Sequence, residues 1–192
     1  RDGVEVLDVK DILLPGVHNI ENYMAAIAAV QGLVSDETVR KVASSFGGVE
    51  HRIELVRIKD GVRFYNDSIA SSPSRTIAGL RSFPEKVLLI AGGYDKHIPF
   101  EPMAPYVIEK VKRLYLCGDT ADKIENCIKQ HKSYLGSPEI VRVKDIAEAV
   151  KRCHEDAQSG DIVTLSPACA SFDAFPNFVA RGNYFKEMVN KL

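Results

Sequence analysis

The sequence has no G-x-x-x-x-G-K-[ST] loop and no G-x-G-x-x-G turn anywhere in its 192 residues. The first absence means that any phosphoryl transfer needs a phosphate cradle from elsewhere; the second argues against a dinucleotide-dependent dehydrogenase. There is no G-x-S-x-G elbow, and Cys169 has no evident His partner, which sets nucleophilic catalysis aside. The four cysteines, Cys117, Cys127, Cys153 and Cys169, show neither C-x-x-C spacing nor a His at zinc-ligand distance. Reduced thiols in a cytosolic protein, with no metal site, are the simplest reading. No signal peptide is present, and no apolar run approaches the roughly 18 residues of a membrane span. Excess charge is missing as well. A net charge of −1, from 25 basic and 26 acidic side chains, argues against nucleic acid or membrane as the main partner.

What is there describes an ordinary globular chain, 45% hydrophobic and 27% charged, sized for one domain or one domain and a piece of another. It opens on Arg1 rather than Met, which reads as a segment of something longer. Residues 1–50 hold 4 basic and 8 acidic side chains and residues 51–192 hold 21 and 18, a mild basic excess that suits small anionic ligands. Residues 4–10 alternate as a short strand, Leu14-Pro15-Gly16 breaks it, and Asn19 stands where a helix N-cap belongs. Ile20, Tyr23, Met24, Ile27, Val30 and Val34 then keep helical spacing. Ser35 caps a second helix with Val39, Val42, Ala43 and Phe46 on one face, and Gly47-Gly48 ends it. One strand and two helices are too little to close a core, so this front piece reads as the tail of a preceding domain.

After Gly48 the pattern changes. Runs at 53–58 and 62–66 flank Asp60-Gly61, a strong hairpin signal. Strands at 87–91, 114–117, 140–143 and 162–165 then alternate with helices near 73–83, 101–111, 120–132, 145–157 and 172–190. Such alternation predicts an α/β, Rossmann-like fold, a mostly parallel sheet with helices on both faces. Ligands of such sheets bind beyond the carboxyl ends of the strands. That rule selects four loops: Asn66-Asp67-Ser68, Gly92 to Lys96, Gly118-Asp119, and Ser166 to Ser171.

Each candidate has two readings. Asp67 at a strand end holds a metal or a ribose hydroxyl, or only caps its loop. Gly92-Gly93 with Lys96 brings backbone and ammonium to a ligand, or is a plain turn with a surface lysine. His51-Arg52 lies at the domain junction, where clefts form, or is simply solvated. Asn19 and Asn22, on one side of a helix beside His18, read an adenine edge or merely cap. Ser166-Pro-Ala-Cys-Ala-Ser171 is a low-bulk turn ahead of a helix expected from Phe172. It presents backbone N–H groups to an anion, or caps a helix whose phenylalanines face the core.

Taken in order, Pro15-Gly-x-His18-Asn19-x-x-Asn22, His51-Arg52-x-Glu54, Tyr65-Asn66-Asp67-Ser68, Gly92-Gly93 and Ser166-Pro-Ala-x-Ala-Ser171-x-Asp173-x-Phe175-x-Asn177-Phe178-x-x-Arg181-Gly182 resemble the Mur ligases, the ATP-dependent amide-forming enzymes of peptidoglycan synthesis. The resemblance covers essentially the whole chain. Its last motif is most similar to the member that adds D-glutamate; the Asp-Asn-Pro-Arg motif of the member adding meso-diaminopimelate or lysine is not found. It implies that residues 1–50 end a central ATP-binding domain and residues 51–192 form the C-terminal Rossmann-like ligase domain. The P-loop and most magnesium ligands would then precede Arg1, so ATP and Mg2+ both need the upstream region and the segment alone is expected to be inactive. Also implied are a cytoplasmic monomer and, as substrates, D-glutamate and UDP-N-acetylmuramoyl-L-alanine.

Carried over residue by residue, Asn19 and Asn22 resemble contacts to adenine, while Arg52 and Asp67 resemble contacts to the nucleotide's phosphates and ribose. Ser71, Lys96, Ser171, Phe172 and Phe178 resemble positions that hold D-glutamate, and His51, at the hinge, joins Lys96 as an expected catalytic residue. Two departures stand out. Ile69 replaces a lysine that many members place near ATP, and Tyr94-Asp95 replaces the Asp-Gly of some relatives. The rival reading is a stand-alone nucleotide- or protein-binding Rossmann-like module without catalysis.

Overall fold

The computed structural model describes residues 5–14 and 16–192, and its contacts divide the chain into two units, Arg1–Gly48 and Val49–Leu192. In the first unit, α1 (Val17–Ala29) starts from Gly16 and not from Asn19. Gly16 takes φ 102°, which glycine alone adopts freely, and it occupies the cap position. Asn19 sits one turn further in, buried, its N–H donating to the Gly16 carbonyl at 3.0 Å, while Asn22 is exposed. The strand expected at 4–10 does not form over its described residues. Residues 5–8 carry no regular structure, and Val9–Asp11 make a 3-10 turn in which the Asp8 carboxylate accepts from the Lys10 N–H at 3.0 Å. A local bond of that kind competes with a strand that has no neighbour to pair with. α2 (Asp36–Ser45) is capped as expected, Ser35 Oγ accepting from Thr38 N at 3.2 Å. Residue 4, Pro15 at the expected break, and the His18 side chain lie outside what is described.

The second unit is a six-stranded sheet in the order β1-β2-β6-β3-β4-β5. Its strands are β1 (Glu54–Lys59), β2 (Val62–Asn66), β3 (Val87–Ala91), β4 (Val111–Leu116), β5 (Glu139–Arg142) and β6 (Ile162–Leu165). Only the β1–β2 pair is antiparallel, turning through Asp60 and Gly61 at φ 52° and 79°, the positive values a tight hairpin needs. α3 (Pro73–Arg81), α4 (Ala104–Lys110) and α5 (Ala121–Gln130) join β2 through β5, and α6 (Ile146–Asp156) leads back to β6 in the middle of the sheet, followed by α7 (Phe178–Asn190). The strands alternate between two cores. Val87 and Leu89 pack with Leu80, Val107, Ile124 and Ile128, whereas Leu88 and Ile90 pack with Phe64, Val150, Val163 and Phe185. Both faces are therefore buried, which is why β3 reads as an unbroken apolar run.

One boundary differs from expectation where it matters. The last helix begins at Phe178, not Phe172. Pro176 is the cause: it has no N–H to give a helix, its ring would crowd the carbonyl four residues back, and it disfavours helical backbone at Phe175. Asn177 then caps α7, its Oδ1 accepting from Ala180 N at 2.9 Å. Ser171 is therefore no helix cap; its carbonyl accepts from Ala174 N and Phe175 N in a separate turn.

Candidate functional site

Strands β2, β6 and β3 lie side by side with their carboxyl ends level, Asn66 paired to Leu165 and Leu165 to Ile90. Their loops meet beyond that edge. Asp67 is the charged residue at its centre, 4% exposed, with Oδ2 accepting from Ser166 Oγ at 2.8 Å. Thr76 of α3 is 3.1 Å from the same hydroxyl and donates to the Ser166 carbonyl. Gly79 leaves the room: a Cβ there would stand 2.8 Å from Asp67 Oδ2. Burial lifts the Asp67 carboxyl to about 7, against the pull of Ser166, the Ile53 N–H, Arg52 and Arg75. Arg52 is half-buried and acts on Asp67 through charge.

His51 is buried with φ 65°. The Asn66 amide donates to its Nδ1 at 2.9 Å, so a neutral ring carries its proton on Nε2, an atom buried with no partner among the described residues. Glu54 accepts from His51 N and from Asn66, and Lys186 closes the network on Glu54. Phe178 stands edge-on to the His51 ring at 6.0 Å, and its carbonyl accepts from Ser68 Oγ at 2.8 Å. Phe178 therefore belongs with His51.

Ser71 and Lys96 do come together: Lys96 Nζ donates to the Ser71 carbonyl at 3.3 Å from an otherwise exposed position. The β6 turn lies beside the lysine's loop, since Tyr94 N donates to the Ala170 carbonyl at 3.0 Å and Gly92 N to that of Pro167 at 2.9 Å. Ser171 is buried in that turn, while Phe172 is 65% exposed with its ring edge-on to Tyr94 at 5.9 Å. Asp95 turns away to Lys123 and the His97 N–H, and the Lys123 ammonium holds its carboxyl below the usual range. Asn19 and Asn22 belong to the first unit and are placed only within it.

Reading the sequence missed how the loops are tied: Thr120 went unnamed, and Arg181 stood in the last motif without a role. Thr120 Oγ1 bonds both the N–H and the carbonyl of Gly93, and Arg181 reaches three carbonyls across two loops. The signal for Arg181 was its place in that motif, and the structure puts it on the buried face of α7 with Gly182 and Phe185.

The second unit is thus a Rossmann-like α/β domain whose polar loops gather at the carboxyl ends of its central strands, the edge where ligands of such sheets bind. The sequence model described as "Mur ligase, glutamate ligase domain" matches residues 51–169, and the chain belongs to that family. It is 54% identical to the UDP-N-acetylmuramoylalanine--D-glutamate ligase of Acetivibrio thermocellus over 100% of the chain and 42% of that protein. Against the ligase of the same name from Clostridium botulinum strain Okra it is 56% identical over 99% and 42%. The chain thus spans about two fifths of the length of these relatives. Among solved structures, Mycobacterium tuberculosis folylpolyglutamate synthase complexed with ADP superposes with a TM-score of 0.66 at 13% identity, over 91% of the chain and 41% of that protein. A UDP-N-acetylmuramoyl-L-alanyl-D-glutamate--2,6-diaminopimelate ligase gives 0.50 at 25%, over 79% and 33%.

Proposed function

We propose that the chain is the C-terminal part of an ATP-dependent ligase that joins D-glutamate to UDP-N-acetylmuramoyl-L-alanine, with residues 51–192 as the amino-acid-binding domain and residues 1–50 as the tail of the ATP-binding one. The observation that carries this reading is the loop cluster: Lys96 on Ser71, with the Ser171–Phe172 turn tied alongside by the Tyr94–Ala170 bond. D-Glutamate brings two carboxylates, which need a cation and uncharged donors, and an aliphatic stem, which the Phe172–Tyr94 edge suits. In the reaction, ATP phosphorylates the substrate carboxylate to an acyl phosphate and leaves as ADP. The D-glutamate amine then attacks that carbonyl, loses a proton, and displaces inorganic phosphate as the amide forms. Lys96 and Ser171 orient the amine donor, and Asp67 and Arg52 face the nucleotide. His51, with Nδ1 held by Asn66, orders the loop under Asp67 in this geometry.

The donor set limits what else is assigned. On this reading the magnesium that accompanies ATP rests on ligands upstream; among the described residues no group of three or more His, Cys, Asp or Glu side chains is placed to hold a metal ion. A cytoplasmic monomer belongs to the same reading, and no helix among the described residues is long and apolar enough to cross a membrane. The test is a competition assay on the full-length protein. With UDP-N-acetylmuramoyl-L-alanine and ATP, D-glutamate should be incorporated in preference to L-glutamate, meso-diaminopimelate and lysine. Preference for any of the others would overturn the reading.

A further inference from the structure

Arg181 has no part in the chemistry above, yet its side chain is 2% exposed and its bonding capacity is almost fully used. Nε donates to Ser68 Oγ at 3.0 Å, Nη1 to the Ala170 carbonyl at 2.9 Å, and Nη2 to the carbonyls of Ser68 at 2.9 Å and Cys169 at 3.0 Å. All four acceptors are neutral. No carboxylate of the described residues lies within ion-pair distance, and burial draws the guanidinium down to about 10. A desolvated charge with only neutral partners is a costly device. Only the rigid guanidinium fork reaches all four acceptors; a lysine presents a single point of donation.

The neighbours fix where that fork sits. Gly182 presses α7 against the hinge histidine, since a Cβ there would be 2.3 Å from His51 Nδ1. Gly93 passes close on the other side, where a Cβ would be 3.3 Å from Arg181 Nη1. Arg181 therefore stands between the loop of Asp67 and Ser68 and the turn of Ser171 and Phe172. We propose that Arg181 is the positioning residue of the amino-acid turn, its guanidinium holding the Cys169 and Ala170 carbonyls against Ser68 so that Ser171 and Phe172 stay in register with the loop of Lys96. This rests on the D-glutamate reading of the cleft.

The test uses the full-length protein that carries this chain, with Arg181→Lys and Arg181→Ala and each substrate varied in turn. Arg181→Lys keeps the charge and loses the fork, so the KM for D-glutamate should rise by about tenfold or more while that for ATP stays within about twofold. Methylguanidinium should restore part of the D-glutamate kcat/KM of Arg181→Ala, a rescue that general loosening of the fold would not give. A D-glutamate KM within about twofold of wild type in Arg181→Lys, or both KM values rising in step, would overturn the proposal. If the wild-type protein turned over no D-glutamate, the ligase reading would fall by itself, and amide hydrogen exchange at residues 169–172 would then decide. Exchange at least about tenfold faster in Arg181→Lys supports the clamp, and unchanged exchange refutes it.

Discussion

Replacing Gly93 by alanine probes the packing of the cleft most sharply. Gly93 has φ 142°, where an L side chain costs about 1–3 kcal/mol. Its new Cβ would also stand 2.5 Å from the Ala170 carbonyl oxygen, with Cys169 Cβ at 3.2 Å behind it. The obstacle is backbone, so no rotamer change relieves it. The carbonyl must retreat, which lengthens the bonds it accepts from Tyr94 N at 3.0 Å and Arg181 Nη1 at 2.9 Å. Overpacking of this kind adds about 1–3 kcal/mol, giving roughly 2–6 kcal/mol in all, a large share of a domain's usual 5–15 or so. Gly136 supplies the control: φ is 92° and nothing lies within 4 Å of its added Cβ, so Gly136→Ala carries the backbone cost alone. Urea unfolding followed by circular dichroism should show Gly93→Ala the more destabilised by at least about 1 kcal/mol. Equal losses in the two variants would refute the close approach of the β3 and β6 loops.

Three further outcomes follow from the same geometry. In the full-length protein, Lys96→Ala should lower kcat/KM for D-glutamate by about 10- to 150-fold, the equivalent of a charge-assisted bond of roughly 1.5–3 kcal/mol, with the KM for ATP unmoved; a rise in the ATP KM instead would move Lys96 to the other wall. Asp67 has a folded value of about 7 against 3.8, so its contribution to stability is full below about pH 4 and is lost as the pH rises through 7. That amounts to about 4 kcal/mol, and Asp67→Asn should flatten the fall in urea stability between pH 4 and 8; an unchanged slope would place the titration elsewhere. The 192-residue chain, which has no P-loop, should release no phosphate from ATP in a malachite-green assay, and measurable turnover would contradict the assignment of the cradle to an upstream region.

Much of the fold was legible because local signals and burial agree. Asp60-Gly61 names its hairpin, Ser35 caps α2 as a β-region serine should, and the short Val87–Ala91 run, bounded by Gly92-Gly93, is a strand buried on both faces. The failures have equally local causes. Alternation at 4–10 mimics a strand, but the described residues 5–8 carry no regular structure and Val9–Asp11 turn, while α1 starts from Gly16, three residues ahead of Asn19. Pro176, read as part of a helix, in fact delays α7 to Phe178 and leaves residues 171–175 in a separate turn. For the site, the strand-end rule selected loops that the structure brings together at one sheet edge, while the roles of Ser71, Lys96 and Phe178 came from resemblance. Nothing in the spacing told that Phe178 would face His51 and not Lys96. Arg181 stood in the last motif, but its role was illegible for a plainer reason: most of its partners are backbone carbonyls, and carbonyls leave no mark in a sequence.

The most direct test of the D-glutamate assignment is a crystal structure of the full-length protein with the proposed D-glutamyl product bound. One product carboxylate should lie about 3 Å from Lys96 Nζ and the other against the Ser171 turn, with the nucleotide on the Asp67 side. A glutamyl moiety bound away from Lys96 and Ser171, or a nucleotide seated on that turn, would contradict it.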